Sequence, residues 1–181
     1  MNKLINFKSI FLLITLVILG IVITSCSSTS KLIVNPVSNF NLQMYLGRWY
    51  EIARFDFKWE KNMSNVVTNY SMNDDGSVMV VNSGYDFKAK KNKRSVGKAK
   101  FVGKGDVGAL KVSFFGPFYS AYNVIAVDPS YQYALVAGGN KRLMWILSRT
   151  PTIPENVKEE FLSIAKSSGY DTEKLVWTVQ N

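Results

Sequence analysis

From Asn39 onward the chain is written in short stretches of alternating apolar and polar residues, each closed by a turn signal. Alternation with period two marks strands with one buried face, and strands so short and so regularly interrupted pair with their neighbours in antiparallel order. The stretches are 49–57, 65–72, 77–85, 94–102, 110–115, 119–128, 133–137 and 143–148. Asn73-Asp74-Asp75-Gly76 supplies a tight turn between the second and third, because Asp-Gly tolerates positive φ. Gly138-Gly139-Asn140 plays the same part between the seventh and eighth. Such a series closes into a barrel or stacks as a sandwich. Eight strands is the number that closes while leaving room for one small ligand. The expectation from these stretches is an all-β domain over 39–181, an eight-stranded antiparallel sheet closed into a barrel or stacked as a sandwich.

One helix is expected after the eighth strand, over 154–168. Thr152-Ile153-Pro154-Glu155 has the form of a capping box with Pro in the first turn, where a missing N–H costs nothing. Val157, Phe161, Ile164 and Ala165 share one face, opposed by Lys158, Glu159 and Lys166, and Gly169 ends the helix. That apolar face must dock on the outside of the barrel. A last short strand is expected at 175–179.

The 181 residues include no histidine and one cysteine. This removes His-ligated zinc and haem, Ser-His-Asp and Cys-His nucleophiles, cysteine zinc cages and intrachain disulfides. No metal or cofactor is expected. The acids suggest no converging pair of the kind a carboxylate hydrolase needs: Asp74-Asp75 sit on a turn and Glu159-Glu160 on an exposed helix. The chain reads as a non-enzyme.

The first thirty residues are a different material. Lys3 and Lys8 give a basic start, residues 10–23 are almost wholly apolar, and no charge occurs between Lys8 and Lys31. A basic region followed by a short apolar one is the layout of a secretory signal. The alternative is a permanent signal anchor, but residues 24–30 are polar and leave the apolar part short of the roughly 20 residues that span a bilayer. Ile23-Thr24-Ser25-Cys26 resembles a bacterial lipobox, with Leu the commoner residue where Ile23 stands. The resemblance implies a signal peptide over 1–25, a diacylglycerol-bearing Cys26 at the new N-terminus, and attachment to a membrane. Ser27 rather than Asp after the cysteine implies, by lipoprotein sorting rules, the outer membrane of a bacterial envelope. Residues 26–38, rich in Ser and Asn with Pro36, read as a flexible tether.

The net charge is +9, and much of it is local. Lys88, Lys90, Lys91, Lys93, Arg94, Lys98, Lys100 and Lys104 occur with no acid between Asp86 and Asp106. Three readings compete: a nucleic-acid arm, contact with anionic lipid headgroups, or a solvated hairpin whose edge strand is guarded by lysine. An exported lipoprotein argues against a nucleic-acid partner; the guarded hairpin is the expected role, with contact to anionic headgroups the functional alternative.

Residues 46–51, Leu46-Gly47-Arg48-Trp49-Tyr50-Glu51, resemble the Gly-x-Trp signature that opens the lipocalin fold. Val127-Asp128-Pro129-Ser130-Tyr131 resembles the second lipocalin motif, with its Tyr displaced to three residues after the Asp. Trp145-Ile146-Leu147-Ser148-Arg149 resembles the third, centred on Arg149. Residues 48–55, 114–119 and 147–153 are more specifically similar to the bacterial outer-membrane lipocalins related to apolipoprotein D. The resemblance covers 39–181 and implies an all-β fold, an eight-stranded antiparallel up-and-down β-barrel with the helix packed outside, in which Gly47, Trp49 and Arg149 are structural, with Arg149 laid over the Trp49 ring at the narrow end.

Strand alternation then assigns the lumen. With Trp49 inward, Glu51, Ala53 and Phe55 follow; with Arg149 inward, so do Leu147, Trp145 and Leu143. The family pattern adds Val66, Thr68, Tyr70, Val80, Asn82 and Tyr122, while Ala99, Phe101, Val112 and Phe114 rest on alternation alone. Plain core packing is the competing role for each. Ala53, Phe55, Tyr70, Asn82, Tyr122 and Trp145 are taken as ligand-binding candidates, since aromatic faces with a few polar groups give both burial and orientation. Residues 115–119 are read as an apolar rim near a barrel opening. Two functions are carried forward: a binder, store or carrier of a fatty acid, lysophospholipid or similar amphiphile, and a structural envelope lipoprotein without a ligand. The sequence leaves the oligomeric state open, a homodimer included.

Overall fold

The computed structural model describes residues 32–181, so the signal peptide expected over 1–25 and the lipidation expected at Cys26 lie outside the described residues. These residues make one compact unit that contains every strand and both cores described below. A short helix α1 (Leu42–Tyr45) precedes β1 (Gly47–Phe55), β2 (Met63–Met72), β3 (Val78–Asp86), β4 (Lys91–Phe101), β5 (Ala109–Phe115), β6 (Phe118–Val127), β7 (Tyr133–Gly138) and β8 (Met144–Ser148). Helix α2 (Glu155–Ser167), a 3-10 turn (Thr172–Lys174) and β9 (Leu175–Trp177) follow. Each of β1 to β7 pairs antiparallel with the next, and β8 pairs antiparallel with β1. The barrel is closed through β8–β1, as the lipocalin resemblance implied. β9 is an extra strand that takes over the edge of β1 at Ala53–Phe55 after β2 has left it.

Two cores lie on the two faces of the sheet. Inside, Trp49, Tyr70, Val80, Ala99, Leu110 and Leu147 are among the residues that fill the barrel. Outside, Ile52, Ala53, Phe55, Leu135 and Ile146 pack under α2 through Phe161 and Ala165. The helix docks where its apolar face required. The capping box does not form: Pro154 itself occupies the N-cap in extended conformation and no side chain caps the helix. Thr152 is thereby left two residues before the N-cap, and its carbonyl accepts from the Ser148 and Thr150 hydroxyls instead.

The two ends of the barrel differ. At one end Phe40 and α1 lie across the opening, with the Phe40 ring 5.1 Å from Tyr45, 6.3 Å from Phe101 and 6.1 Å from Tyr131. Among the described residues, the connections β1–β2, β3–β4, β5–β6 and β7–β8 lie at the other end. Residues 32–38 are not a free tether. Ile33 N donates to Ser168 O, Val37 N donates to Val124 O, and Gly108 N donates to Val37 O, because Leu32, Val34 and Val37 pack against the two cores.

Candidate ligand-binding site

The floor of the barrel is aromatic. Trp49 is fully buried and donates its indole N–H to Tyr45 O at 2.7 Å. The Arg149 guanidinium lies 3.9 Å from the Trp49 ring centroid. It donates to the carbonyls of Met44, Leu46, Arg48 and Tyr131. Gly47, at φ +91°, lets the backbone turn beside this guanidinium. Asp128 is structural too, accepting from the backbone N–H groups of Ser130, Gln132 and Tyr133 to fold the β6–β7 turn. The displaced Tyr131 still meets the floor, its hydroxyl accepting from Asn41 N at 2.8 Å.

Above Trp49 three tyrosines join their hydroxyls. Tyr122 is 2.6 Å from Tyr45 and 2.7 Å from Tyr70, oxygen to oxygen. Burial pushes the pKa of all three up, so they stay neutral and satisfy one another in an apolar surround. They line a small cavity of about 70 Å³ with Val78, Val80 and Leu147.

A polar shoulder stands on one wall. The Trp145 indole N–H donates to Glu60 Oε2 at 3.0 Å, and the Phe57 ring meets Trp145 edge-on at 5.8 Å. Glu51 Oε1 accepts from Arg54 Nη1 and from the Thr178 hydroxyl, both at 2.6 Å. Burial, reinforced by the nearby Glu51 carboxylate, pushes Glu60 up to about 8.

Beyond the shoulder the barrel widens into a cavity of about 1030 Å³ that reaches the open end. Asn82, Val112, Phe114 and Trp145 line it, with Lys93, Arg94 and Arg142 among its cations. Asn82 Oδ1 is buried and has no hydrogen-bond partner. Part of the basic stretch is thus at the mouth. The 91–97 half of β4 pairs only with β3, so these cations also stand on an open edge.

Of the six candidates, Tyr70, Asn82, Tyr122 and Trp145 line these cavities. Ala53 and Phe55 do not. The pairing of β1 with β8 slips between Glu51 and Ala53, which places Ile52 and Ala53 on the same face. This bulge turns Ala53 and Phe55 outward, where Phe55 stacks on Tyr170 with centroids 5.7 Å apart. Arg54 is turned inward in their place. Val66, Thr68 and Val80 line the cavities as the family pattern implied, Ala99, Val112, Phe114, Leu143 and Leu147 do so as alternation required, and Phe101 packs on the inner core. Tyr45, Glu60 and Arg54 escaped sequence reasoning. Tyr45 sits on a four-residue helix with no periodicity and Glu60 in a connection, and only the bulge turns Arg54 inward.

The family model for the lipocalin-like domain matches residues 40–180. The chain belongs to the lipocalin family. It is 48% identical over 159 residues to the outer membrane lipoprotein Blc of Escherichia coli, covering 87% of this chain and 90% of that protein. Blc of Vibrio cholerae is 40% identical over 168 residues, covering 92% and 98%. Mouse apolipoprotein D is 32% identical over 150 residues, covering 78% of each chain. Among solved structures, insecticyanin from the tobacco hornworm aligns at a TM-score of 0.65 over 81% of this chain and 84% of its own, with 22% identity. Lobster apocrustacyanin A1 also gives 0.65, at 19% identity, over 78% and 80%. These two show the lipocalin fold alone.

Proposed function

We propose that this lipocalin is a non-catalytic binder of a single-chain amphiphile, a fatty acid or lysophospholipid, held with its tail inward and its head at the mouth. The observation that carries this reading is the cavity of about 1030 Å³ opening at the unplugged end. It stands at the upper end of the range of small-molecule sites, roughly 300–1,000 Å³. Tyr70, Tyr122 and Trp145 offer the chain aromatic faces, and the small cavity above the tyrosines extends its path. Each buried CH₂ contributes about 0.8 kcal/mol, so part of an acyl chain offsets the association entropy and supports micromolar binding at about −8 kcal/mol.

Electrostatics orient the ligand. An anionic head beside the Glu51 carboxylate would meet like charge in a poorly solvated place, whereas Lys93, Arg94 and Arg142 at the mouth supply cations. The unpaired Asn82 Oδ1 is an acceptor for a hydroxyl or amide of the head region.

The names of the Blc relatives and the lipobox support placement at the outer membrane, with Cys26 as the lipid anchor and 1–25 as the cleaved signal. Displacement of a fluorescent fatty acid from the barrel tests the reading. Saturable competition by fatty acids and lysophospholipids is expected. Absence of any competition, with the barrel folded, would favour the structural-lipoprotein alternative.

A further inference from the structure

The open end carries a feature that ligand binding does not require. Four aromatic side chains among the described residues are more than half exposed: Trp59 at 63%, Phe87 at 56%, Phe115 at 64% and Phe118 at 79%. All four lie at this one end. Trp59 is on the β1–β2 connection, Phe87 on β3–β4, and Phe115 and Phe118 flank Gly116-Pro117 between β5 and β6. They are held as a group: the Trp59 and Phe115 rings are 5.4 Å apart, and Phe87 N donates to Asn62 O across two connections. Trp59, Phe115 and Phe118 also line the wide cavity.

Cations are interleaved with them. The connections carry Lys58, Lys61, Lys88, Lys90, Lys141 and Arg142 against Asp56 and Glu60, and Glu60 faces inward to Trp145. Asp86, at the end of β3, is bound to Lys93. Exposed rings cost solvation in water, and soluble surfaces rarely gather them without a partner. Aromatic rings flanked by Lys and Arg complement the polar–apolar boundary of an anionic bilayer, where rings sit at headgroup level and ammonium groups meet phosphates. A protein partner of complementary acidic and apolar surface would suit the charges less well, since rings at the tips of separate connections present no continuous flat face.

We propose that this rim docks on the surface of an anionic phospholipid bilayer, so that the cavity opens directly onto the lipid. The docking holds whatever the cavity carries, and it is separate from the anchor at Cys26.

The test uses the barrel comprising residues 32–181, which contains every strand and both cores, incubated with vesicles of equimolar phosphatidylcholine and phosphatidylglycerol or of phosphatidylcholine alone. Co-sedimentation should be about tenfold stronger on the anionic vesicles and weaken in high salt. Vesicles with brominated acyl chains should quench a tryptophan component that disappears in Trp59→Phe. The Phe115→Ser/Phe118→Ser pair and the Lys88→Glu/Lys90→Glu pair should each lower binding about tenfold, with thermal unfolding unchanged. Met72→Ser/Val102→Ser, exposed at the plugged end, should bind as the parent does. Rim variants that bind as well as the parent would overturn the proposal. So would a rim that self-associates in sedimentation velocity and leaves vesicles unbound, which would assign it to a second copy.

Discussion

Arg149 and Trp49 form the seal of the barrel: the guanidinium lies 3.9 Å from the ring centroid and donates to four carbonyls of two chain segments. One side chain thus ties the end of β8 to α1 and the start of β1, over a ring that is entirely buried. Partial desolvation lowers the Arg149 pKa, yet an arginine remains charged at any physiological pH.

Trp49→Ala should destabilise the barrel by about 3–5 kcal/mol, the range for loss of a buried aromatic ring. Urea unfolding measures it, and a loss below about 1 kcal/mol would mean that the ring is not core. Arg149→Lys should recover only part of the damage of Arg149→Ala, because a single ammonium cannot reach four carbonyls and lie flat on an indole.

Trp145→Ala should weaken amphiphile binding about tenfold in a displacement titration, with loss of any ligand-dependent change in Trp145 emission. Val112→Trp, at the junction of the small and wide cavities, should abolish binding while unfolding stays cooperative. Unchanged affinity in both folded variants would place the ligand outside the barrel.

Ala53→Trp gives the contrasting result. An indole at this position drives into the packing between β1 and α2, so it should cost about 1–3 kcal/mol of stability by overpacking and leave amphiphile affinity unaltered.

Glu60 makes stability depend on pH. Its folded pKa of about 8 is raised above the usual carboxylate value, so the folded state holds the proton more tightly than the unfolded one. Stability contributed by the protonated group is fully present below about 4.5 and falls as pH rises through about 8. Glu60→Gln should flatten that slope and leave the variant more stable than the parent at alkaline pH. Trp145 emission should titrate with a midpoint near 8 in the parent and not in the variant.

Cys26→Ser should abolish incorporation of a palmitate analogue and leave an uncleaved or soluble product. Persistent label on the variant would refute the lipobox reading.

What the amino-acid sequence determined by itself is periodic or local: eight strands, the order in which they pair, one helix with an apolar face, and the Trp49–Arg149 seal through its flanking motifs. Period-two alternation fixes which face is buried as long as the register runs unbroken, and for β4, β5 and β8 it assigned the lumen correctly, as the family pattern did for β2 and β3. In β1 one slipped residue pair reversed Ala53 and Phe55 and brought Arg54 inside, because a bulge depends on the partner strand and on β9, neither of which is adjacent in sequence. The same holds for the helix cap, where local chemistry favoured Thr152 and the path of the chain after Ser148 gave the position to Pro154. The tyrosine trio, the Glu60–Trp145 contact and the gathering of four exposed rings at one rim join residues from separate hairpins. Up-and-down alternation puts those connections at a common end, and closure of the barrel then brings side chains of separate hairpins face to face across it.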